Sequence, residues 1–364
     1  MNRGRSAGRV LGLIVASLVL LSACGKAPSF SFSDSRLEAA VREALGIGDR
    51  PIRPADVRQL KTLDASGREI GRLDGLEACV GLTELDLSEN HVSDLAPLSG
   101  LQSLERLILR SNEVEDVAPL AEISSLRVLN LDFNTIEDVK PLASLVELRW
   151  LGLWNSRVRD VAPLHGLVRL TELGLGGNPV EDPAPLASLT QLEWLGLPNT
   201  GIANLAFVTG MTEMKELGLE GNRIGDLGPL SGLRKLERLG LGQNEISDVS
   251  PLAGLTRLRQ LSLWGNRVEQ IAPLAHLTAL ERLWLDDNPV SDIAALGGLV
   301  NLRVLGLSGT SVTDPEPLFA NAGLGDGDEV DLTGTPIDAS DGSIAREVID
   351  ELLQRGALVL YDDF

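Results

Sequence analysis

A segment of 22 residues, LTELDLSENHVSDLAPLSGLQS at positions 82–103, recurs in register to about residue 318. With Asn90 as the reference position, two leucines lie five and three residues before it, and a valine or isoleucine lies two residues after it, in every repeat. The reference positions of the eleven regular repeats are Asn90, Asn112, Asn134, Ser156, Asn178, Thr200, Asn222, Asn244, Asn266, Asn288 and Thr310. A fixed period of this length indicates a stacked architecture, in which each unit buries its apolar face against its neighbours.

Each part of the repeat predicts a local structure. The spacing L-x-x-L-x-L-x-x-N-x-[VI] matches the leucine-rich repeat pattern, and alternation within its short strand turns the leucines inward. A buried amide at Asn90 is expected to bond with backbone groups of its own and adjacent turns, so that successive amides form a ladder. The ladder should weaken where a hydroxyl replaces the amide, at Ser156, Thr200 and Thr310. The segment DLAPLSGL predicts a tight helical or extended turn, with Asp94 placed to cap it.

The N-terminal sequence MNRGRSAGRVLGLIVASLVLLSAC has the layout of a secretory signal peptide, with arginines followed by an apolar run. The run is too short to favour a permanent membrane-spanning helix. Its end, LSAC at positions 21–24, resembles the bacterial lipobox, and an ordinary signal peptide with a chance cysteine is the alternative. We therefore predict a signal peptide over residues 1–23, lipidation at Cys24 and a place in the bacterial cell envelope. The resemblance implies the outer membrane if the cell is Gram-negative, because Gly25 rather than aspartate follows the cysteine.

The chain is acidic, with a net charge of −20, and loss of residues 1–23 removes three arginines and no acidic residue, which gives −23. This charge excludes nucleic acid as an expected partner, since phosphate neutralisation needs basic surface. It also disfavours electrostatic docking to anionic lipid, so the predicted acyl chains would be the membrane anchor. The other cysteine, Cys79, is expected to be a small buried hydrophobe, with a reactive thiol as the alternative.

The chain divides into five predicted parts, which are a signal peptide (1–23), a tether (24–33), an N-terminal helical cap (34–59), leucine-rich repeats (60–340) and a C-terminal cap (341–364). The first cap contains an amphipathic helix with Leu37, Ala40, Val41 and Leu45 on one side. The second contains a helix with Ile344, Val348, Ile349, Leu352 and Leu353 on one face. The predicted fold is an α/β solenoid, with a curved parallel sheet of about 13 short strands on the concave face. A monomer is expected.

The helix followed by LDAS at positions 63–66 resembles the N-terminal cap of secreted bacterial leucine-rich repeat proteins of the internalin-like group. The resemblance covers residues 34 to about 340 and is more specific for fold than for function. It implies a protein that binds a macromolecule on its concave face.

No catalytic constellation is present in the sequence. The histidines His91, His165 and His276 are far apart and none has a cysteine or second histidine at ligand spacing. We therefore expect no enzyme activity, no cofactor and no metal. The column of aspartates from Asp94 to Asp314 is best explained by turn capping, with a calcium ladder as the alternative.

Three columns of side chains are expected on the concave face, at six, four and two residues before each reference position. All five tryptophans of the chain fall in these columns, and Phe133 lies beside them. Exposed tryptophans on a sheet cost solubility and are over-represented in binding hot spots. The predicted partner-binding residues are Trp150, Trp154, Trp194, Trp264, Trp284, Phe133, Arg106 and Arg110.

The middle column has glycine in five adjacent strands, at positions 152, 174, 196, 218 and 240. These glycines predict a shallow trough where a ligand backbone approaches the sheet. The tryptophans should form two clusters about 24 Å apart, across five strands. The alternative is that the rings stack along the sheet and only stabilise it.

The sequence therefore predicts a non-enzymatic envelope lipoprotein that binds a protein or other macromolecular partner on its concave face. A structural or assembly lipoprotein that uses its convex side or caps is the alternative. An enzyme acting on glycans is disfavoured, because paired carboxylates placed for that chemistry are lacking.

Overall fold

A computed structural model of the protein describes residues 30–362. The predicted signal peptide (1–23), the predicted lipidation site Cys24, positions 24–29 of the predicted tether and positions 363–364 of the predicted C-terminal cap lie outside the described residues. Among the described residues, no helix has both the length and the apolar character needed to cross a membrane.

Within residues 30–362, fourteen short strands form one parallel sheet and follow each other along the sheet in chain order. They are β1 (Thr62–Asp64), β2 (Glu84–Asp86), β3 (Arg106–Ile108), β4 (Val128–Asn130), β5 (Trp150–Gly152), β6 (Glu172–Gly174), β7 (Trp194–Gly196), β8 (Glu216–Gly218), β9 (Arg238–Gly240), β10 (Gln260–Ser262), β11 (Arg282–Trp284), β12 (Val304–Gly306), β13 (Glu329–Asp331) and β14 (Leu358–Leu360). Most neighbours pair with a step of 22 residues, as Leu85 does with Leu107. The predicted curved parallel sheet is confirmed, with fourteen strands rather than about thirteen.

The segments that connect successive strands contain short 3-10 helices. These helices pack on the opposite side of the core from the sheet. In the described part of the chain they are Leu76–Ala78, Ala96–Leu98, Ala118–Glu122, Lys140–Ser144, Ala162–Gly166, Ala184–Ser188, Ala206–Val208, Gly228–Leu230, Ser250–Leu252, Ala272–His276 and Ala294–Gly298. The predicted capping role of the aspartate column is confirmed, since Asp94 accepts a hydrogen bond from the amide of Ala96 at 2.9 Å. Asn204, one of the departures from aspartate, makes the same bond to Ala206 at 2.7 Å.

The leucines of the strands and return segments form one continuous core, and they are almost completely shielded from solvent. The predicted amide ladder runs beside it. Asn112 donates to the carbonyls of Leu87 at 2.9 Å and Leu109 at 3.0 Å, and its oxygen accepts from the amide of Val92 at 2.9 Å. Each such asparagine therefore ties two repeats together through buried backbone groups that would otherwise be unsatisfied.

The three hydroxyl positions of the ladder differ from each other. Ser156 has a buried hydroxyl without a hydrogen-bond partner among the described residues. Thr200 donates to the carbonyl of Leu197 at 2.9 Å, and Thr310 donates to that of Leu307 at 2.7 Å. The predicted weakening is thus greatest at Ser156.

The N-terminal end of the stack is covered by two helices, α1 (Ser35–Leu45) and α2 (Pro54–Val57). Asp34 caps α1 by accepting a hydrogen bond from the amide of Arg36 at 2.8 Å. Residues 30–33, which the sequence assigns to the tether, instead pack against this end of the solenoid. Phe32 is only 7% exposed, and its ring contacts that of Phe30 edge to face at 5.2 Å. These two apolar side chains are the physical reason for the difference.

The C-terminal end carries α3 (Glu316–Ala320), α4 (Ile344–Gln354) and β14. The buried face of α4 consists of Ala345, Val348, Ile349 and Leu352. The prediction was wrong for Ile344 and Leu353, which are 70% and 42% exposed. Positions three and four apart define the buried stripe of a helix, and these two residues fall on its flanks.

Candidate functional site

The predicted columns of the concave face follow directly from strand alternation. In β7, for example, the central leucine is buried while Trp194 before it is half-buried. We call the residues six, four and two positions before each reference position the first, middle and third columns. All five tryptophans occupy these columns and all are half-buried.

The rings of Trp150, Trp154, Trp194 and Trp264 lie over glycines, which leave room for them. The indole of Trp154 crosses β6 to reach β7. A Cβ added at Gly176 would lie 2.5 Å from this ring, and a Cβ added at Gly196 would lie 2.8 Å from it. Trp150 lies over its own strand, where an added Cβ at Gly152 would approach its ring to 2.6 Å. Real Cβ atoms do not approach other atoms this closely, so the glycines are required for these ring positions.

The rings also change the shape predicted for the concave face. The expected trough over five glycines is wrong for Gly152, Gly174 and Gly196, which are buried beneath the indoles. Gly218 and Gly240 remain partly accessible. The accessible part of the concave face therefore lies over Gly218 and Gly240, beyond the rings of Trp150, Trp154 and Trp194.

A hollow of about 280 Å³ lies over β7–β11, and we call it the aromatic trough. Trp154 and Trp194 border it on one side and Trp284 on the other, with Gly218 and Gly240 on the floor between them. The sequence predicted two separate tryptophan clusters, whereas the structure places members of both around one hollow. Across four strand spacings the trough spans roughly 19 Å.

Three charged side chains line the aromatic trough. Arg238 donates from Nε to Glu216 at 2.7 Å, and this hydrogen bond raises the pKa of the guanidinium. The carboxylate of Glu220 lies on the floor, where an added Cβ at Gly218 would approach it to 3.3 Å. Glu220 makes no side-chain hydrogen bond or ion pair with any residue that the structure describes. The trough thus contains one neutralised carboxylate and one unpaired carboxylate.

Two inward-turned carboxylates of the third column hold the backbone of the next repeat. Asp132, which is 6% exposed, accepts a hydrogen bond from the amide of Trp154 at 2.8 Å. Asp286 accepts one from the amide of Ser308 at 2.9 Å. Burial raises the pKa of both carboxyls. Asp132 therefore positions the strand end that carries Trp154.

Phe133 and Arg110 form a separate pair in the repeats of β4 and β3, outside the trough. The guanidinium carbon of Arg110 lies 4.8 Å from the centroid of the Phe133 ring. Phe133 is 43% exposed and has a φ of +57°, the conformation that directly precedes every regular reference position. The positive φ therefore belongs to the turn of every repeat and does not single out Phe133 for recognition. The recognition role of this pair stays a prediction.

The remaining predicted residues lie elsewhere on the concave face. Trp264 leans back over Gly242 in the preceding repeat and does not line the trough. Arg106 lines a separate polar hollow over β1–β3, together with Glu84 and Asp86. Trp150 lies on β5 and does not border the trough.

Five polar residues of the trough were missing from the predicted set, namely Glu216, Glu220, Arg238, Gln260 and Ser262. Their signal was present in the sequence, because each falls in a concave column on the strands between the tryptophans. Among residues 30–362, no group of three or more histidine, cysteine, aspartate or glutamate side chains is arranged to hold a metal ion.

Comparisons with known proteins place this geometry in a family. The family described as "Leucine Rich repeats (2 copies)" matches residues 102–144 and 234–276, and that described as "Leucine Rich repeat" matches residues 80–95. No curated protein matches the sequence. Leucine-rich repeat proteins are typically non-enzymatic proteins that bind partners or act as scaffolds, and the fold commonly mediates protein–protein interaction.

Solved structures share the fold over most of the chain. The internalin InlF from Listeria monocytogenes is 30% identical, with 80% of this chain and 94% of that chain covered and a TM-score of 0.72. The functional domain of InlJ from Listeria monocytogenes is 20% identical, covering 84% and 75%, with a TM-score of 0.68. The plant peptide hormone receptor RGFR1 is 20% identical, covering 80% and 52%, with a TM-score of 0.64.

At 20% identity the last two similarities establish the fold alone. InlF differs from them because its 30% identity extends over nearly the whole of its own structure. The protein described here therefore belongs to the internalin-like family of bacterial leucine-rich repeat proteins.

Proposed function

We propose that this protein is a lipid-anchored component of the bacterial cell envelope that binds a protein partner on its concave face. The aromatic trough is the observation that carries the proposal. Three half-buried indoles, an unpaired carboxylate and a glycine floor are arranged on the side of the sheet that faces away from the core. Aromatic side chains of this kind are the usual anchors of protein interfaces.

The proposed mechanism is non-covalent recognition. The rings of Trp154 and Trp194 pack against the glycines beneath them, so these two side chains lose little conformational entropy when a partner binds. The plant receptor RGFR1 supports a binding role, because its structure was determined in complex with RGF2. Catalysis has no part in the proposal.

The proposed anchor is Cys24, after cleavage of residues 1–23. Support comes from the arginines, the apolar run and the LSAC sequence at positions 21–24. The internalin-like relatives support a location at the bacterial surface or outside the cell. Loss of radiolabelled palmitate incorporation in a Cys24→Ala variant is the expected result, and labelling that persists in this variant would exclude Cys24 as the anchor.

The binding proposal is tested by affinity capture from envelope extract with residues 25–364, which include every described helix and strand. One variant carries Trp154→Ala, Trp194→Ala and Trp284→Ala in the trough. A matched control carries Val146→Ala, Val168→Ala and Val300→Ala, which remove exposed apolar side chains away from the concave columns. Circular dichroism and thermal unfolding show that all three proteins are folded.

A partner that the control retains and the trough variant loses supports the proposal. A partner retained by the trough variant and lost by the valine control would move the binding surface to the outer side of the solenoid. Capture that is insensitive to both variants would move it to the caps. Either of the last two results favours the alternative, a structural or assembly protein of the envelope.

A further inference from the structure

The aromatic trough has the geometry of a site for one elongated side chain. The ring centroids of Trp154 and Trp194 are 6.3 Å apart, and their planes are inclined by 31°. Two indoles in this arrangement form one wall, and Trp284 lies opposite. Indole faces carry negative electrostatic potential and attract cations more strongly than the faces of other aromatic side chains do.

The charges in the aromatic trough determine whether the bound side chain is a cation or an anion. Arg238 is engaged by Glu216, so its positive charge is largely compensated. The carboxylate of Glu220 is unpaired and lies on the floor between the tryptophans. An anion entering here would meet this carboxylate and the indoles of Trp154 and Trp194, whereas a cation would be attracted by all of them.

The whole chain favours the same kind of partner. Its net charge of −20 attracts a basic surface and accelerates encounter with it. A volume of about 280 Å³ holds a single long side chain and is too small for a folded domain. The opening toward solvent allows the chain that carries the side chain to continue across the sheet.

We propose that the aromatic trough binds the side chain of a lysine or arginine presented by the protein partner. This inference rests on the proposed function of the concave face. The ammonium or guanidinium group lies against the indoles of Trp154 and Trp194 and forms an ion pair with Glu220. The methylene groups of the same side chain pack against the edge of the Trp194 ring.

The five tryptophans allow a direct test with the protein labelled with ¹⁵N at the indole nitrogens. Each indole gives one resonance, which is assigned by single replacement with phenylalanine. The labelled protein is titrated at millimolar concentrations with acetyl-Gly-Lys-Gly-amide and with acetyl-Gly-norleucine-Gly-amide. Norleucine keeps the methylene chain and lacks the ammonium group, so the pair isolates the charge.

The lysine peptide is expected to shift the resonances of Trp154 and Trp194, and the norleucine peptide is expected to leave them in place. Glu220→Gln should weaken binding of the lysine peptide at least fivefold. Glu220→Lys should abolish it, because the new ammonium group occupies the trough. Glu84→Gln is the matched control, since it removes the same charge from the same face but on β2, and it should leave the titration unchanged.

Equal shifts with the norleucine peptide, or an unchanged titration in Glu220→Gln, would overturn the inference in favour of a purely apolar cleft. Shifts with cellotetraose but not with the lysine peptide would overturn it in favour of a glycan. The affinity-capture experiment separates the two proposals. A partner lost with the tryptophan variant but retained at full affinity by Glu220→Gln leaves the proposed function standing and overturns the cation site alone.

Discussion

The indole of Trp154 crosses the whole of β6 and lies 6.3 Å, centroid to centroid, from that of Trp194. These residues belong to repeats that are two steps apart, and the glycines at positions 174 and 176 permit the crossing. The contact therefore depends on the absence of side chains at these two positions of the intervening repeat. It joins tryptophans of two columns into one wall of the aromatic trough.

The first prediction concerns the glycines beneath this wall. Gly176→Ala would place a Cβ 2.5 Å from the Trp154 ring, so the ring must move. We expect a loss of about 1–3 kcal/mol in the free energy of unfolding and a changed near-ultraviolet circular dichroism spectrum. Gly254→Ala is the control, because an added Cβ there has no heavy atom within 4 Å. An unchanged spectrum for Gly176→Ala would contradict the described ring position.

The second prediction repairs the amide ladder. Ser156 has an unsatisfied buried hydroxyl, and the amide of Ile136 lacks the asparagine oxygen that the equivalent Val114 has at 2.9 Å. Ser156→Asn should supply both the donor and the acceptor and raise the free energy of unfolding by about 1 kcal/mol. Thr200→Asn should raise it less, because the Thr200 hydroxyl already donates to a carbonyl. Urea unfolding of both variants measures the difference, and a destabilised Ser156→Asn protein would count against the ladder.

The third prediction is a pH dependence of stability. Burial raises the pKa of Asp132 above its ordinary value of 3.8. The folded state therefore binds this proton more tightly than the unfolded state, and stability falls as the pH rises from 3.8 through the higher folded-state pKa. Asp132→Asn keeps an acceptor for the amide of Trp154 and removes this cost. We expect it to be more stable than the wild type at pH 7 and equally stable at the acid end.

Denaturant unfolding of both proteins between pH 3 and pH 7 tests this sign. A stability difference that shrinks as the pH rises would show that ionised Asp132 stabilises the fold instead. Burial raises the pKa of Asp286 in the same direction. Because Asp286 is present in both proteins, its effect on stability cancels when the two proteins are compared at each pH.

The fourth prediction concerns the thiol of Cys79, which is the only cysteine of residues 25–364. Burial raises its pKa to about 12, and the side chain has no exposed surface. The thiolate is the reactive form, so the folded protein should not react with Ellman's reagent at pH 8. One thiol should appear on addition of denaturant. Fast labelling of the folded protein would contradict the packing of the first repeat.

The sequence was sufficient to predict the fold because its period fixes the register. A step of 22 residues assigns every leucine of the strands to the core and every tryptophan to a concave column. The Asn90 ladder and the Asp94 turns also follow from side chains that have few alternative partners in such a stack. Each of these inferences needs only the repeat and strand alternation.

The ring directions could not be predicted in this way. A column position states where a side chain leaves the sheet, and not whether it leans forward, as Trp154 does, or back, as Trp264 does. The lean depends on which neighbouring repeat has glycine and on the rotamer that the neighbours permit. For the same reason the column pattern predicts five open glycines, whereas the indoles cover three of them. The unpaired state of Glu220 likewise depends on three-dimensional placement.

Site-specific photo-crosslinking tests most directly whether the concave face is the binding surface. Benzoylphenylalanine is placed at Gln260, which lines the aromatic trough, or at the exposed Val146 away from the concave columns. Both proteins are irradiated in envelope extract, and the crosslinked products are identified by mass spectrometry. The account predicts one protein crosslinked from Gln260 and not from Val146. A partner crosslinked from Val146 and not from Gln260 would contradict it.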